Sequence, residues 1–290
     1  MLKPLACALA VLAGAATAQE RPVVATVNYP LAWMADRLGG DAIEVLFPVP
    51  DGRDPSFWRP GLSDIAAIQQ ADLIALNGAG FATWTTRASL PRSRLVDTSA
   101  KLSAAFIATQ SVSHSHGEDG AHSHTGTASY TWLDFELAAG QAEALAAAMQ
   151  RRMPDLRNRV EERLPSLLAD LAALDTQARD ALATLQGTTI IATHPRYQYF
   201  ARAYGLDIAA LEWEAGALPD EAQWQDLQDM VAETGASLLI WEAEPPQEAK
   251  ERAAGMGLAS IVFAPLATRP ASGDFASVMR AQIEALATRP

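Results

Sequence analysis

The stretch TTIIATHPRYQYFARAYGLDIAALEW at residues 188–213 carries two β-branched runs, TTIIATH and DIAALEW, on either side of a helical segment. Runs that alternate with helices are typical of a parallel sheet. Two further runs follow, SLLIWEAE at 237–244 and SIVFAP at 260–265, and the longest intervening helix is predicted over 220–233. The C-terminal part of the chain is therefore predicted to form an α/β lobe.

The N-terminal part shows the same alternation. Its β-branched runs are VVATV (23–27), AIEVLF (42–47) and DLIALNG (72–78), with helical segments near 32–38 and 63–70. This pattern predicts a second parallel sheet. The fold class that follows is α/β, with two similar parallel-sheet lobes.

Residues 134–186 between the two lobes are rich in Ala, Leu, Glu, Gln and Arg, with leucines recurring at steps of three or four. That periodicity predicts helix, restarted near Pro154 and with Pro165 as a candidate kink. The second piece, of roughly 30 residues, would be about 45 Å long. An ordinary surface helix would show the same periodicity, but the position favours a rigid spine helix that links an N-terminal lobe (19–133) to a C-terminal lobe (187–290).

The first 18 residues have the pattern of an export signal: one cation at Lys3, a short apolar stretch, and the small residues Ala16-Thr17-Ala18. We expect cleavage after Ala18 and a periplasmic location. No stretch approaches the roughly 20 apolar residues that a membrane span requires, so no membrane insertion is predicted. Cys7, the only cysteine, lies inside the predicted signal.

Charge and motifs exclude several classes of function. The net charge is −12, and it becomes −13 once Lys3 leaves with the signal. An acidic surface argues against binding of nucleic acid or anionic membranes and is compatible with a cationic ligand. The sequence contains no G-x-S-x-G, P-loop, G-x-G-x-x-G or H-E-x-x-H motif. We therefore predict that the protein is not an enzyme.

A histidine-rich loop is predicted at 111–129, SVSHSHGEDGAHSHTGTAS, because the segment is polar and has no apolar periodicity. It holds two H-S-H pairs, and imidazole nitrogen suits zinc, copper and nickel. The alternative is a solvated linker in which histidine is merely polar. The scarcity of histidine elsewhere favours metal contact through the four loop histidines: His114, His116, His122 and His124.

The fifth histidine, His194, ends the strand TTIIATH, and Glu242 lies near the end of SLLIWEAE. Ligands of open α/β sheets bind beyond the carboxyl ends of the strands, so both side chains are candidate metal ligands. A structural role for His194 and a helix-capping role for Glu242 are the alternatives. An acid–base pair of the two would lack an accompanying nucleophile or cofactor motif.

Four motifs in order, DPSFWRP (54–60), YTWLD (130–134), HPRYQYFARAYGL (194–206) and FAPL (263–266), resemble those of the periplasmic solute-binding proteins of zinc and manganese ABC importers. The resemblance covers nearly the whole mature chain. It implies two lobes joined by a rigid helix, and a metal held in the cleft by three histidines and a carboxylate or water. It also implies a monomer that delivers zinc, or else manganese or another divalent cation, to an ABC permease in the inner membrane.

The resemblance is incomplete at the implied metal ligands. Of the three histidine positions only His194 carries histidine, while Ser56 and Tyr130 occupy the other two. Ala264 stands where an aspartate is often found. Neutral hydroxyls are poor zinc ligands, so the usual tetrahedral cleft site is not expected.

Three alternatives remain open for the cleft. The histidine-rich loop could donate its histidines beside His194. The cleft could instead bind a chelated metal or an organic ligand between the aromatic side chains of Trp58, Tyr130 and Trp132. Finally, the cleft could have lost tight metal binding, which would make the protein a regulatory partner.

Overall fold

The computed structural model of the protein describes residues 21–110 and 125–288. The predicted signal peptide and the four loop histidines lie outside these ranges. Within them, no helix is long and apolar enough to cross a membrane.

The first lobe is a four-stranded parallel sheet in the order β2-β1-β3-β4. Three of its strands and both helices lie within or beside the predicted segments. The strand β4 was not predicted, because it is only three residues long and none of them is fully buried. The elements are β1 (Val23–Thr26), α1 (Tyr29–Gly39), β2 (Glu44–Leu46), α2 (Leu62–Gln70), β3 (Leu73–Leu76) and β4 (Leu95–Asp97).

A two-stranded antiparallel hairpin follows, made of β5 (Ala108–Gln110) and β6 (Thr125–Thr127). The prediction of an irregular loop over 111–129 is therefore wrong for residues 125–127. Residues 125–127 pair with β5, and Ala128 is buried against Tyr199. A backbone ladder needs no apolar periodicity, which explains why the sequence pattern did not indicate this strand.

Two long helices come next, α3 (Phe135–Arg152) and α4 (Arg157–Leu182), separated by a short 3₁₀ turn at Pro154–Leu156. The interruption near Pro154 is as predicted. With 26 residues, α4 is about 39 Å long, somewhat shorter than expected, and Pro165 lies inside it.

The second lobe is also a four-stranded parallel sheet, in the order β10-β9-β7-β8. Matched along the chain, this is the same strand order as in the first lobe, so the prediction of two similar parallel-sheet lobes is confirmed. Its elements are β7 (Thr189–Ala192), α5 (Gln198–Tyr204), β8 (Asp207–Ala210), α6 (Glu221–Thr234), β9 (Leu238–Trp241), α7 (Gln247–Gly255), β10 (Ala259–Val262) and α8 (Phe275–Thr288).

The helix α4 packs against α1 of the first lobe, α8 of the second lobe and the preceding α3. Its apolar stripe is fully buried, including Leu167, Leu171 and Leu174. The main hydrophobic core is continuous through both lobes and this helix. Closely packed interiors deform little, so we expect the lobes to move by small amounts and the protein to unfold in a single transition.

The start of α6 offers a modest test of local stability. Asp220 accepts a hydrogen bond from the Gln223 backbone N–H (2.9 Å), and the Gln223 side chain accepts one from the Asp220 N–H (2.9 Å). Loss of such a cap costs about 1 kcal/mol. Asp220→Ala is therefore expected to lower the free energy of unfolding in urea by about that amount. Asp226→Ala, on the exposed side of the same helix, is expected to change it by less than about 0.5 kcal/mol.

Candidate functional site

His194 lies two residues beyond the end of β7. Its Nδ1 is 2.7 Å from the main-chain oxygen of Trp213. A carbonyl oxygen only accepts hydrogen bonds, so Nδ1 carries the hydrogen, and in the neutral ring the lone pair is on Nε2. A hydrogen bond of this kind orients the imidazole and fixes the tautomer in metal-binding histidines.

Glu242 directly follows β9, the neighbour of β7 in the sheet. The strand order reverses between these two strands, which is where ligands of open α/β sheets bind. Glu242 Oε2 lies 3.5 Å from His194 Nδ1, and the Glu242 N–H donates to the Thr193 hydroxyl (3.2 Å). Burial raises the pKa of the Glu242 carboxyl above its ordinary value; Arg196 opposes this shift and Asp54 adds to it. The structure therefore brings the two predicted cleft residues together.

Arg196, to which the sequence analysis gave no role, lies at the centre of the cleft. Its Nη2 donates to Asp54 Oδ2 at 2.6 Å, and its Nε is 3.5 Å from Glu242 Oε1. The guanidinium carbon lies 4.6 Å from the ring centroid of Tyr130 and 5.4 Å from that of Phe57. The Arg196 side chain is only 9% exposed. A buried cation thus connects an aspartate of the first lobe to a glutamate of the second.

Ser56, at the first of the implied histidine positions, serves as a support for Asp54. Its backbone N–H (2.8 Å) and its hydroxyl (2.6 Å) both donate to Asp54 Oδ1. Because the other carboxylate oxygen accepts from Arg196, the orientation of Asp54 is fixed from two sides. This arrangement accounts for the seryl side chain without any metal contact.

Tyr130, at the second implied histidine position, is buried, and its hydroxyl is 3.5 Å from Asp54 Oδ1. Burial raises the pKa of the Tyr130 hydroxyl far above its usual range, so the group stays neutral and is a poor metal ligand. The backbone on either side of Tyr130 is held by buried side chains, Asn77 and Gln141. Asn77 donates to the carbonyl of Ser129 (2.9 Å), and the Thr131 hydroxyl donates to Gln141 (3.1 Å).

Ala264, at the position often occupied by aspartate, offers a methyl group and no ligand atom. Its backbone is fixed by Gln282 of α8, which accepts from the Ala264 N–H (2.6 Å) and donates to its carbonyl (3.1 Å). Glu244, the other carboxylate near the end of β9, forms an ion pair with Lys250 and is mostly exposed. Neither residue supplies a cleft ligand.

Two of the three aromatic side chains suggested as walls of the cleft, Tyr130 and Trp132, are buried in the core. Trp132 is 0% exposed and donates its indole N–H to the carbonyl of Pro265 (2.8 Å), and the Tyr130 ring is covered as well. Trp58 is half-buried against Trp84. Phe57, by contrast, is 71% exposed. It was not singled out in the sequence, although it adjoins Ser56.

The cleft therefore offers His194 and Glu242, with Asp54 held by Arg196. Over residues 21–110 and 125–288, no three side chains of His, Cys, Asp or Glu are grouped closely enough to hold a metal ion. A tetrahedral zinc site needs three or four such ligands. The donors in the described part of the chain thus do not form a complete site by themselves.

Comparison with known proteins gives a consistent set of relatives. The chain is 23% identical over 282 residues to the zinc-binding lipoprotein AdcA of Streptococcus pneumoniae, which covers 91% of this chain and 54% of AdcA. It is 26% identical over 276 residues to the high-affinity zinc uptake protein ZnuA of Paracoccus denitrificans, covering 84% of this chain and 83% of that protein. The manganese-binding lipoprotein MntA of Halalkalibacterium halodurans is 26% identical over 182 residues, covering 62% of this chain and 56% of MntA. The chain thus spans only about half the length of some curated relatives.

Solved structures share the fold. The Zn(II)-bound ZnuA-like domain of Streptococcus pneumoniae AdcA superposes with a TM-score of 0.77 at 19% identity, covering 93% of this chain and 98% of the domain. The solute-binding protein FpvC of Pseudomonas aeruginosa, in complex with Ni²⁺, gives 0.73 at 18% identity, covering 93% and 96%. The family model described as ZnuA, zinc-uptake complex component A, periplasmic, matches residues 23–289. Because this match covers both lobes and the helices between them, the chain belongs to the ZnuA family, as the sequence motifs indicated.

Proposed function

We propose that the protein is the solute-binding component of a metal ABC importer. It binds a divalent cation in the periplasm, with zinc as the first candidate and manganese or another divalent ion as the alternatives. As a monomer it then delivers the ion, chemically unchanged, to an inner-membrane permease. The observation that carries this proposal is the family match over residues 23–289. The relatives described above are named for zinc or manganese binding or uptake, and not for catalysis.

The proposed ligands are His194 and Glu242 together with the four loop histidines His114, His116, His122 and His124. The described residues support this combination at one point. The Tyr199 hydroxyl accepts from the Ile107 N–H (3.2 Å) and donates to the Ala128 carbonyl (3.0 Å). Ile107 directly precedes the hairpin and Ala128 directly follows it. Tyr199 lies in α5, the helix that follows His194, so Ile107 and Ala128 at the base of the hairpin are fixed beside this helix.

Zinc titration calorimetry on metal-free protein tests the proposal. The intact protein is expected to bind zinc tightly. Replacement of all four loop histidines by serine is expected to weaken binding by more than about a hundredfold, because loss of an outer-shell partner alone costs 10–100-fold. Ser115→Ala with Ser123→Ala, in the same segment, is the matched control and should leave the affinity unchanged. His194→Ala is expected to weaken binding as well.

Each contrary result has a definite meaning. Absence of tight binding for zinc, manganese and nickel by the intact protein would reject the proposal and favour the chelated-metal or regulatory alternative. Tight zinc binding that survives the fourfold serine replacement would reject donation by the loop histidines while leaving metal delivery intact.

A further inference from the structure

We propose that Arg196 is a built-in cation of the cleft: its guanidinium occupies the space among the family's ligand positions, joins the two lobes, and must leave before a divalent ion can bind there. The inference rests on the proposed function only in taking a divalent cation as cargo. It names Arg196 as the residue that lowers the affinity of the cleft for metal.

The Arg196 side chain lies between the two lobes, where a ligand held by both lobes would be expected. Asp54 and Tyr130 belong to the first lobe, whereas Arg196 and Glu242 belong to the second. The guanidinium reaches Asp54 Oδ2 at 2.6 Å, approaches Glu242 Oε1 at 3.5 Å and lies over the Tyr130 ring at 4.6 Å. One positive group is thus enclosed by two carboxylates and an aromatic face, the surroundings that favour a cation.

Charge explains why metal and arginine compete. The carboxylates of Asp54 and Glu242 are the anionic donors of the cleft, and Arg196 already neutralises them in part. A divalent ion between them would lie within a few ångströms of the guanidinium, where like charges repel strongly at the effective dielectric of a protein interior. The ion and the guanidinium therefore exclude each other from this place.

The replaced ligand positions support the same conclusion. Ser56 contributes its hydroxyl and its N–H to Asp54, the main partner of Arg196. Tyr130 contributes a neutral aromatic face to the guanidinium. Two positions where the resemblance implies metal ligands thus hold side chains that stabilise the arginine and its counter-ion. Their chemistry fits a resident cation that belongs to the protein.

The arginine does not satisfy the glutamate completely. Glu242 Oε2 and Arg196 Nε are both buried without a hydrogen-bond partner in the described part of the chain. The contact with Glu242 is a 3.5 Å approach, whereas that with Asp54 is a hydrogen bond. Removal of Arg196 would therefore leave Glu242 and Asp54 as unneutralised donors facing the cleft near His194.

The test is a gain of zinc affinity. In a background with the four loop histidines replaced by serine, Arg196→Met is expected to bind zinc at least about a hundredfold more tightly than the same background with Arg196 intact, by calorimetric titration with zinc chloride alone. Adding His194→Ala to the methionine variant is expected to abolish the gain. Arg196→Lys retains the charge and is expected to retain the low affinity.

Arg202→Ala is the matched control, because Arg202 lies in α5, is partly exposed, and pairs with Asp134 away from the cleft centre. It should not raise zinc affinity. An unchanged or weaker affinity in Arg196→Met would overturn the inference. So would tight zinc binding by the loop-histidine-free background with Arg196 intact, a measurement that does not depend on whether the methionine variant folds. Neither result bears on zinc binding by the intact protein, which tests the proposed function separately.

Discussion

Trp132→Ala is expected to lower the free energy of unfolding by about 3–5 kcal/mol, the range for removal of a fully buried large aromatic side chain. Trp132 is 0% exposed and lies edge-on to Phe81, with ring centroids 5.3 Å apart, and 4.7 Å from Tyr130. Its indole N–H donates to the carbonyl of Pro265 in the second lobe. The substitution would leave a cavity and a buried carbonyl without its donor, at the contact between the lobes.

Urea unfolding followed by circular dichroism measures this effect, and thermal unfolding should show a decrease in Tm of about 10 °C. Trp132→Phe keeps an aromatic ring but loses the N–H donor, so an intermediate loss is expected. Trp58→Ala is the control on a half-buried indole and should cost about 1 kcal/mol. A loss no larger for Trp132→Ala than for Trp58→Ala would show that this contact contributes little to the joining of the lobes.

The fold was largely predictable because the central strands of both sheets are short apolar runs that are buried on both faces. The strand β9 is buried at all four positions, and such runs between helices indicate parallel sheets. The hairpin β5–β6 was not predictable in the same way. It is held by backbone pairing and by the contacts of Tyr199, which is some 90 positions away from Ile107 in the chain. A local sequence pattern does not indicate a contact between residues so far apart.

The site was predictable only in part, for a related reason. His194 and Glu242 could be found because parallel strands end at one edge of a sheet, so the strand pattern alone brings them together. Arg196 stands in the quoted motif HPRYQYFARAYGL, yet an arginine in a sequence is most often a surface residue. Its role depends on Asp54, which is 142 positions away. The one sequence feature that could have indicated this role is the position of Arg196, two residues after His194, the single histidine left at the family's ligand positions.

The ion pair between Arg196 and Asp54 is expected to carry a measurable share of the stability that joins the lobes. Asp54→Ala removes the hydrogen-bonded partner and leaves the guanidinium, 9% exposed, with Glu242 at 3.5 Å as its remaining charged neighbour. Breaking a fully buried pair costs 3–5 kcal/mol. Because the Asp54 side chain is 31% exposed, we expect a smaller loss, about 2–3 kcal/mol in urea unfolding. Asp41→Ala, which breaks the exposed pair with Arg159, should leave the free energy of unfolding nearly unchanged, because water screens an exposed pair.

A double-mutant cycle separates the pair from its surroundings. If the guanidinium is costly to bury once Asp54 is gone, the double variant Asp54→Ala with Arg196→Met should be more stable than Asp54→Ala alone, since it removes the uncompensated charge. The coupling energy from the four unfolding free energies is expected to be at least about 1 kcal/mol. Additivity within about 0.3 kcal/mol would mean that the two side chains act independently, and Arg196 would then not join the lobes through Asp54. The same four proteins, titrated with zinc, would show whether the stability lost with the arginine is recovered when a metal ion takes its place.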